Sequence, residues 1–169
     1  MSLGTASLPA ADRAELLAFQ QKVARLQRAV LGAAGAASEV QDRIDHIKQA
    51  LIETPGAPAK LDDDVRAIEA RLKDLQIELS GDRTLTSRAQ PAPKSIQQRV
   101  GRIVSGQWAS TSAPTQTNRD AYRYAGEAFT TVLGDLRNLV ERDLTQLEQD
   151  LEAALAPWTP GRLPRWRME

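Results

Sequence analysis

Residues 16–51 read LLAFQQKVARLQRAVLGAAGAASEVQDRIDHIKQAL. In them, Leu16, Phe19, Val23, Leu26, Val30, Ala33, Ala37, Val40, Ile44, Ile47 and Leu51 recur at alternating spacings of three and four. That repeat puts every one of them on a single seam of one α-helix, a rod of roughly 54 Å at 1.5 Å per residue. A helix with such a seam cannot bury it alone and must pack along other helices. Gly32 and Gly35 invite a break, each costing about 1 kcal/mol of helix propensity. The seam nonetheless passes through Ala33 and Ala37 without losing phase, so one helix over about 9–53 is expected. The alternative is two helices meeting at a kink near residues 32–35. The small residues from Gly32 to Ala37 would let a partner backbone or a bulky side chain approach closely.

Outward from this rod the sequence supplies three further helical patterns. Pro9 suits a first turn, with Asp12 and Glu15 complementing the positive helix end. Thr54-Pro55-Gly56-Ala57-Pro58 turns the chain. A second helix over about 58–79 carries Leu61, Val65, Ile68, Leu72, Leu75 and Leu79 inward. Asp62, Asp63 and Asp64 fall in its first turn, where they complement the dipole; three consecutive residues point to different sides and make a poor metal site. A long aperiodic connection, Gly81 to Lys94, leads to a third helix over about 93–108 with Ile96, Val100, Ile103 and Val104 inward. Long connections are often functional. The fourth helix, about 115–156 with Ser112, Thr115 or Thr117 as N-cap, sets Tyr122, Ala125, Phe129, Leu133, Leu136, Val140, Leu144, Leu147, Leu151 and Leu155 inward.

The expected fold is all-α: an elongated antiparallel up-and-down bundle of two long helices and two shorter ones, closed by the first and last. Residues 1–8 read as a vector-derived leader, 9–156 as the bundle, and 157–169 as a tail with three Pro, one Gly and the tryptophans Trp158 and Trp166.

Composition narrows the chemistry. The chain has 169 residues, 22 Lys plus Arg against 22 Asp plus Glu, and no Cys. Zero net charge argues against a global electrostatic attraction to nucleic acid or anionic lipid as the main purpose, and no apolar run is long enough for membrane insertion. Thiol catalysis and Cys-ligated zinc are excluded by composition. The lone His46 stands four residues after Asp42, but Arg43 occupies the place where a Glu-x-x-His di-iron motif needs its Glu. No serine lies in a Gly-x-Ser-x-Gly or Ser-x-x-Lys context, and no Gly-rich phosphate loop appears. No catalytic, cofactor or metal residue is therefore expected.

What remains are contact surfaces. Between Arg83 and Arg123 lie Arg83, Arg88, Lys94, Arg99, Arg102, Arg119 and Arg123 against Asp120 alone, while Tyr124 to Ala156 is acidic. Such a basic stretch suits an acidic partner surface or a phosphate-bearing ligand, or else pairs with acids of the same bundle. In the tail, Pro-rich backbone loses little entropy on docking and Trp offers a large apolar area. Arg83, Arg88, Arg99, Arg102, Trp108, Trp158 and Trp166 are the candidate interaction residues.

Gly81-Asp82-x-Thr84, Arg88, Pro91-x-Pro93-x-Ser95-Ile96-x-x-Arg99-Val100, Pro114-Thr115 and Pro157-Trp158-Thr159-Pro160-Gly161-Arg162 resemble the C-terminal helical region of large bacterial sortilin-like proteins. Those are BNR (Asp-box) β-propeller, glycosyl hydrolase-like proteins, and the resemblance spans roughly Leu79 to Trp166. It implies a non-catalytic accessory domain whose partner is the β-propeller of the same parent chain or another protein, in a periplasmic or extracellular setting. Any glycan chemistry would belong to the propeller, since no Ser-x-Asp-x-Gly-x-x-Trp box occurs here. The alternatives are a self-associating helical module joined through the Gly32 to Ala37 stretch, and a ligand-binding or enzymatic bundle with a pocket between helices.

Overall fold

The computed structural model describes residues 9–88, 90–108 and 112–168; the side chains of Arg83, Thr86 and Trp108 lie outside that description. Helix α1 runs unbroken over Ala10–Ile52, 43 residues. Phe19, Val23, Val30, Ala33, Ala37, Val40, Ile44, Ile47 and Leu51 are all buried on it, so the seam holds through the glycine-containing stretch without a kink. Gly32 and Gly35 lie on the exposed side, with open space where a Cβ would stand. The close approach in this stretch is made elsewhere: the Gln76 side-chain amide donates to the Ala37 carbonyl at 3.1 Å. At its end, Thr54 folds its hydroxyl back onto the Ala50 carbonyl at 2.8 Å before Pro55 turns the chain.

Helix α2, Ala59–Ser80, returns antiparallel to α1, as Lys48 paired with Glu69 and Gln76 bonded to Ala37 require. Its expected seam, Leu61 to Leu79, is buried throughout. The chain does not reverse at Gly81. A short helix α3, Arg83–Ser87, interrupts the connection, and α4, Ile96–Trp108, then continues in the direction of α2. Val100 joins the main core that contains Leu79, while Ile103 packs with Phe19 and Val23 near the start of α1. Together α2 and α4 make one discontinuous rod facing the length of α1.

Two local caps explain this break. The Asp82 carboxylate accepts from the backbone N–H groups of Thr84 at 2.8 Å and Leu85 at 3.3 Å, which starts α3 and holds its own pKa below the usual carboxylate range. Ser95 and Gln98 form a reciprocal capping box: Ser95 Oγ accepts from the Gln98 N–H, and Gln98 Oε1 accepts from the Ser95 N–H. The third expected helix therefore begins at Ile96 rather than near Pro93, and the connection expected to be aperiodic holds a helical turn. Pairs of acceptor and donor, not apolar periodicity, set both boundaries.

The third rod is α5, Gln116–Asn138, followed by a π-helical turn over Leu139–Leu144 and α6, Thr145–Ala153. Thr115 caps α5 by accepting from the Asn118 N–H. This rod runs parallel to α1, because Arg119 pairs with Glu15 near its start and Glu148 with Arg43 near its end. Four of its expected inward positions differ: Tyr122, Leu133 and Val140 are half-buried and Leu155 is exposed. Val132 and Leu139 are buried in place of Leu133 and Val140. Leu139 and Leu144 are five residues apart, and the wide π turn absorbs that extra residue so that both face the core. The Thr145 hydroxyl donates to the Val140 carbonyl across this turn at 3.2 Å. Leu155 lies beyond the helix and is exposed.

Among the described residues the bundle is all-α, made of three rods (α1; α2 with α4; α5 with the π turn and α6) and the short α3, and none of its helices is long and apolar enough to cross a membrane.

Candidate interaction surface

The tail leaves α6 through a Schellman turn. Ala156 N–H donates to the Leu151 carbonyl at 3.0 Å and Leu155 N–H to the Glu152 carbonyl at 3.1 Å, with Leu155 at φ +58° where glycine is usual. This reversal carries Ala156 into the main core. The chain then turns again at Thr159-Pro160-Gly161-Arg162. Arg162 N–H donates to the Thr159 carbonyl at 3.3 Å, and Gly161 has φ +89°. Proline followed by a left-handed glycine is the pattern of a type II turn.

That turn forms a seat. The Arg162 guanidinium stacks 4.6 Å from the Trp158 ring centre and reaches Glu152 at 3.4 Å. Thr159 is buried, and a Cβ on Gly161 would lie 3.9 Å from Arg43 Nε. Beneath it, Arg43 and the buried Glu148 form an ion pair at 2.5 Å. The seat is imperfect: Arg43 Nε and Thr159 Oγ1 are buried without a hydrogen-bond partner, and each such group costs about 1–3 kcal/mol. Residues 157–162 are therefore held by a stack, an ion pair and one buried threonine rather than by a deep apolar groove.

Beyond Arg162 the chain is exposed. Leu163, Trp166 and Met168 are 88%, 79% and 83% exposed, and Arg165 and Arg167 are exposed between them. Of the two tail tryptophans, Trp158 is docked on one face and 41% exposed, whereas Trp166 stands clear.

The other expected surface lies along a different part of α1. Arg88, Arg99 and Arg102 are exposed, the last two on α4, whose Ile103 packs on Phe19 and Val23. Arg99 Nε donates to the Lys94 carbonyl at 3.1 Å. Arg119 and Arg123 are taken up internally, Arg119 by Glu15 and Arg123 by Asp120, Glu127 and the Tyr124 ring. The side chains of Arg83 and Trp108 lie outside the described residues. The structure thus separates the basic α4 segment from the tail, which sits over Arg43. Sequence reasoning missed Arg43, Glu148 and Arg162. The one available signal was Arg162 four residues after Trp158.

Open surface depressions flank the bundle, among them two that border the expected helices. One, about 400 Å³, is lined by Gly81, Asp82, Gln90, Pro91, Ala92, Pro93 and Gln98. The other, about 320 Å³, lies between α2 and the π turn. Its charges satisfy one another: Lys60 with Asp64 at 2.5 Å, Arg71 with Asp143 at 2.5 Å, and Arg142 with Asp143 at 3.0 Å. The bonds from Arg71 and then Arg142 hold the Asp143 carboxyl below the usual range. His46 is exposed, and among the described residues no three His, Asp or Glu side chains are placed to hold a metal.

Comparison with known proteins finds no matching family model, no matching curated protein and no matching solved structure. Fold and surface together define the class alone: an all-α helical bundle bearing an anchored, outward-running C-terminal segment.

Proposed function

We propose that the chain is a non-catalytic accessory module of a larger protein of the sortilin-like β-propeller type, with its C-terminal segment as the contact element. The observation that carries this reading is the contrast across Arg162: residues before it are seated on the bundle, while Leu163, Trp166 and Met168 after it are exposed. Large apolar side chains held in water on a tethered arm gain free energy when a partner covers them. Because the seat restrains the start of the arm, less chain entropy is lost on capture than for a free tail. A propeller partner in a periplasmic or extracellular setting follows from the resemblance.

The test is calorimetric titration of the bundle against the separately produced propeller encoded in the same reading frame. Saturable binding that weakens in Trp166→Ala supports the proposal. A reading frame without a propeller, or a propeller that releases no heat with the bundle, refutes it.

Self-association is the second reading. It is favoured by the outward position of Gly32 and Gly35 beside the half-exposed Leu31 on α1. Sedimentation equilibrium showing one monomer mass at every concentration removes it.

A further inference from the structure

The composition of the exposed arm points to a second kind of contact. Between Ala154 and Glu169 the sequence holds three basic residues, Arg162, Arg165 and Arg167, against one acidic residue, Glu169, although the whole chain is neutral. Arg162 is spent internally on Glu152 and Trp158. Arg165 and Arg167 are exposed and alternate with Leu163, Trp166 and Met168, which are exposed as well. The backbone here is not helical, and Pro164 disfavours a helix.

We infer that residues 163–168 form an interfacial arm that adsorbs to an anionic lipid surface. The chemistry fits at each position. An indole rests at the boundary between headgroup and acyl chain, with its ring in the apolar side and its N–H toward water. Leucine and methionine beside it add apolar area that reaches the same depth. Arginines interleaved with them lie at the level of the phosphates, where each guanidinium meets two oxygens at once. A lipid surface needs only the mixture of cation and apolar side chains that this short stretch supplies. With two exposed arginines and one Trp, the adsorption is reversible and strongly dependent on salt. No helix inserts; the bundle stays outside, held by the seat at Arg162. The inference rests on the arm being the contact element and is independent of the propeller.

Co-sedimentation with vesicles tests it, using phosphatidylglycerol mixed into phosphatidylcholine and, in parallel, phosphatidylcholine alone. The intact chain is expected to pellet with the mixed vesicles at low salt, to stay in solution with the neutral ones, and to be released by raised salt. Arg165→Gln with Arg167→Gln is expected to weaken partitioning about thirtyfold, at about fivefold per arginine. Trp166→Ala should abolish the quenching of tryptophan emission by brominated lipid that the intact chain shows. None of these substitutions touches a buried residue, and far-UV circular dichroism identical to that of the parent chain verifies the fold. Failure to pellet with anionic vesicles, equal pelleting with neutral ones, or variants that partition like the intact chain would each overturn the inference. Arm variants that weaken the propeller titration while vesicles stay unbound keep the accessory reading and remove the lipid.

Discussion

Arg43 and Glu148, 105 residues apart in the chain, meet in an ion pair at 2.5 Å beneath the tail. Glu148 is buried while Arg43 keeps partial contact with water, so the pair joins the first and last rods at the point where the Thr159 turn closes over them. Glu148→Ala leaves the guanidinium beside the seat without its carboxylate. Loss of a fully buried pair costs about 3–5 kcal/mol, and partial solvation of Arg43 brings the expectation to about 1–3 kcal/mol. Chemical denaturation measures the loss, and faster amide exchange at residues 157–162 than in the helices shows that the seat opens first.

Ala37 is fully buried where α1 faces α2, and the Ala37 carbonyl takes the Gln76 amide. Ala37→Leu is expected to overpack this contact and to cost roughly 1–3 kcal/mol, with Ala33→Leu in the same range. A melting temperature unchanged in both variants contradicts the packing described for the middle of α1.

Leu155 adopts the left-handed conformation at φ +58° while its side chain is 88% exposed. The conformation costs a leucine roughly 1–2 kcal/mol, and glycine gives back about 0.5–1 kcal/mol of that through its more flexible unfolded chain. Leu155→Gly is therefore expected to stabilise the bundle by about 0.5–1 kcal/mol, seen as a raised melting temperature. Leu155→Ala, which keeps a Cβ, should give little of that gain.

Among the described residues, three carboxyls have pKa values lowered in the fold: Asp143 by bonds from Arg71 and then Arg142, Glu69 by the Lys48 ammonium and then the Gln41 amide, and Asp82 by the Thr84 and Leu85 N–H groups. A carboxyl with a depressed folded value binds its proton more readily in the unfolded chain. Its contribution is thus complete above the unfolded value of about 4 and is lost as the pH falls through the folded one. Stability is expected to be level on this account from neutrality down to about pH 5 and to decline below about pH 4. Arg71→Met should make the decline shallower, as read from denaturation midpoints across the acid range.

Much of the architecture was legible because apolar spacing reports helix faces directly. The α1 seam from Phe19 to Leu51 and the α2 seam from Leu61 to Leu79 were readable residue by residue, since one repeat persists longer than any competing pattern. Boundaries were less legible, because Asp82 and Ser95 end or begin helices through hydrogen bonds that periodicity does not record. At Leu133 and Val132 two adjacent apolar residues left the choice open, and the shift from Val140 to Leu139 was hidden for a related reason. A π turn changes the number of residues per turn, and a fixed spacing carried across it drifts out of phase.

The candidate surface divides in the same way. Tail composition singled out Trp158 and Trp166 as contact residues, but local sequence gives no sign that one is stacked on Arg162 while the other is left in water. By itself the sequence determined that this is a helical bundle with one unbroken pillar, because helix faces are set by neighbours three and four residues apart. Only the tertiary structure decided that α4 extends the rod begun by α2, that Arg43 finds Glu148, and that the tail is seated at Arg162 and free beyond it. Those outcomes depend on groups far apart in the chain, whose meeting is fixed by how the rods pack and not by any local spacing.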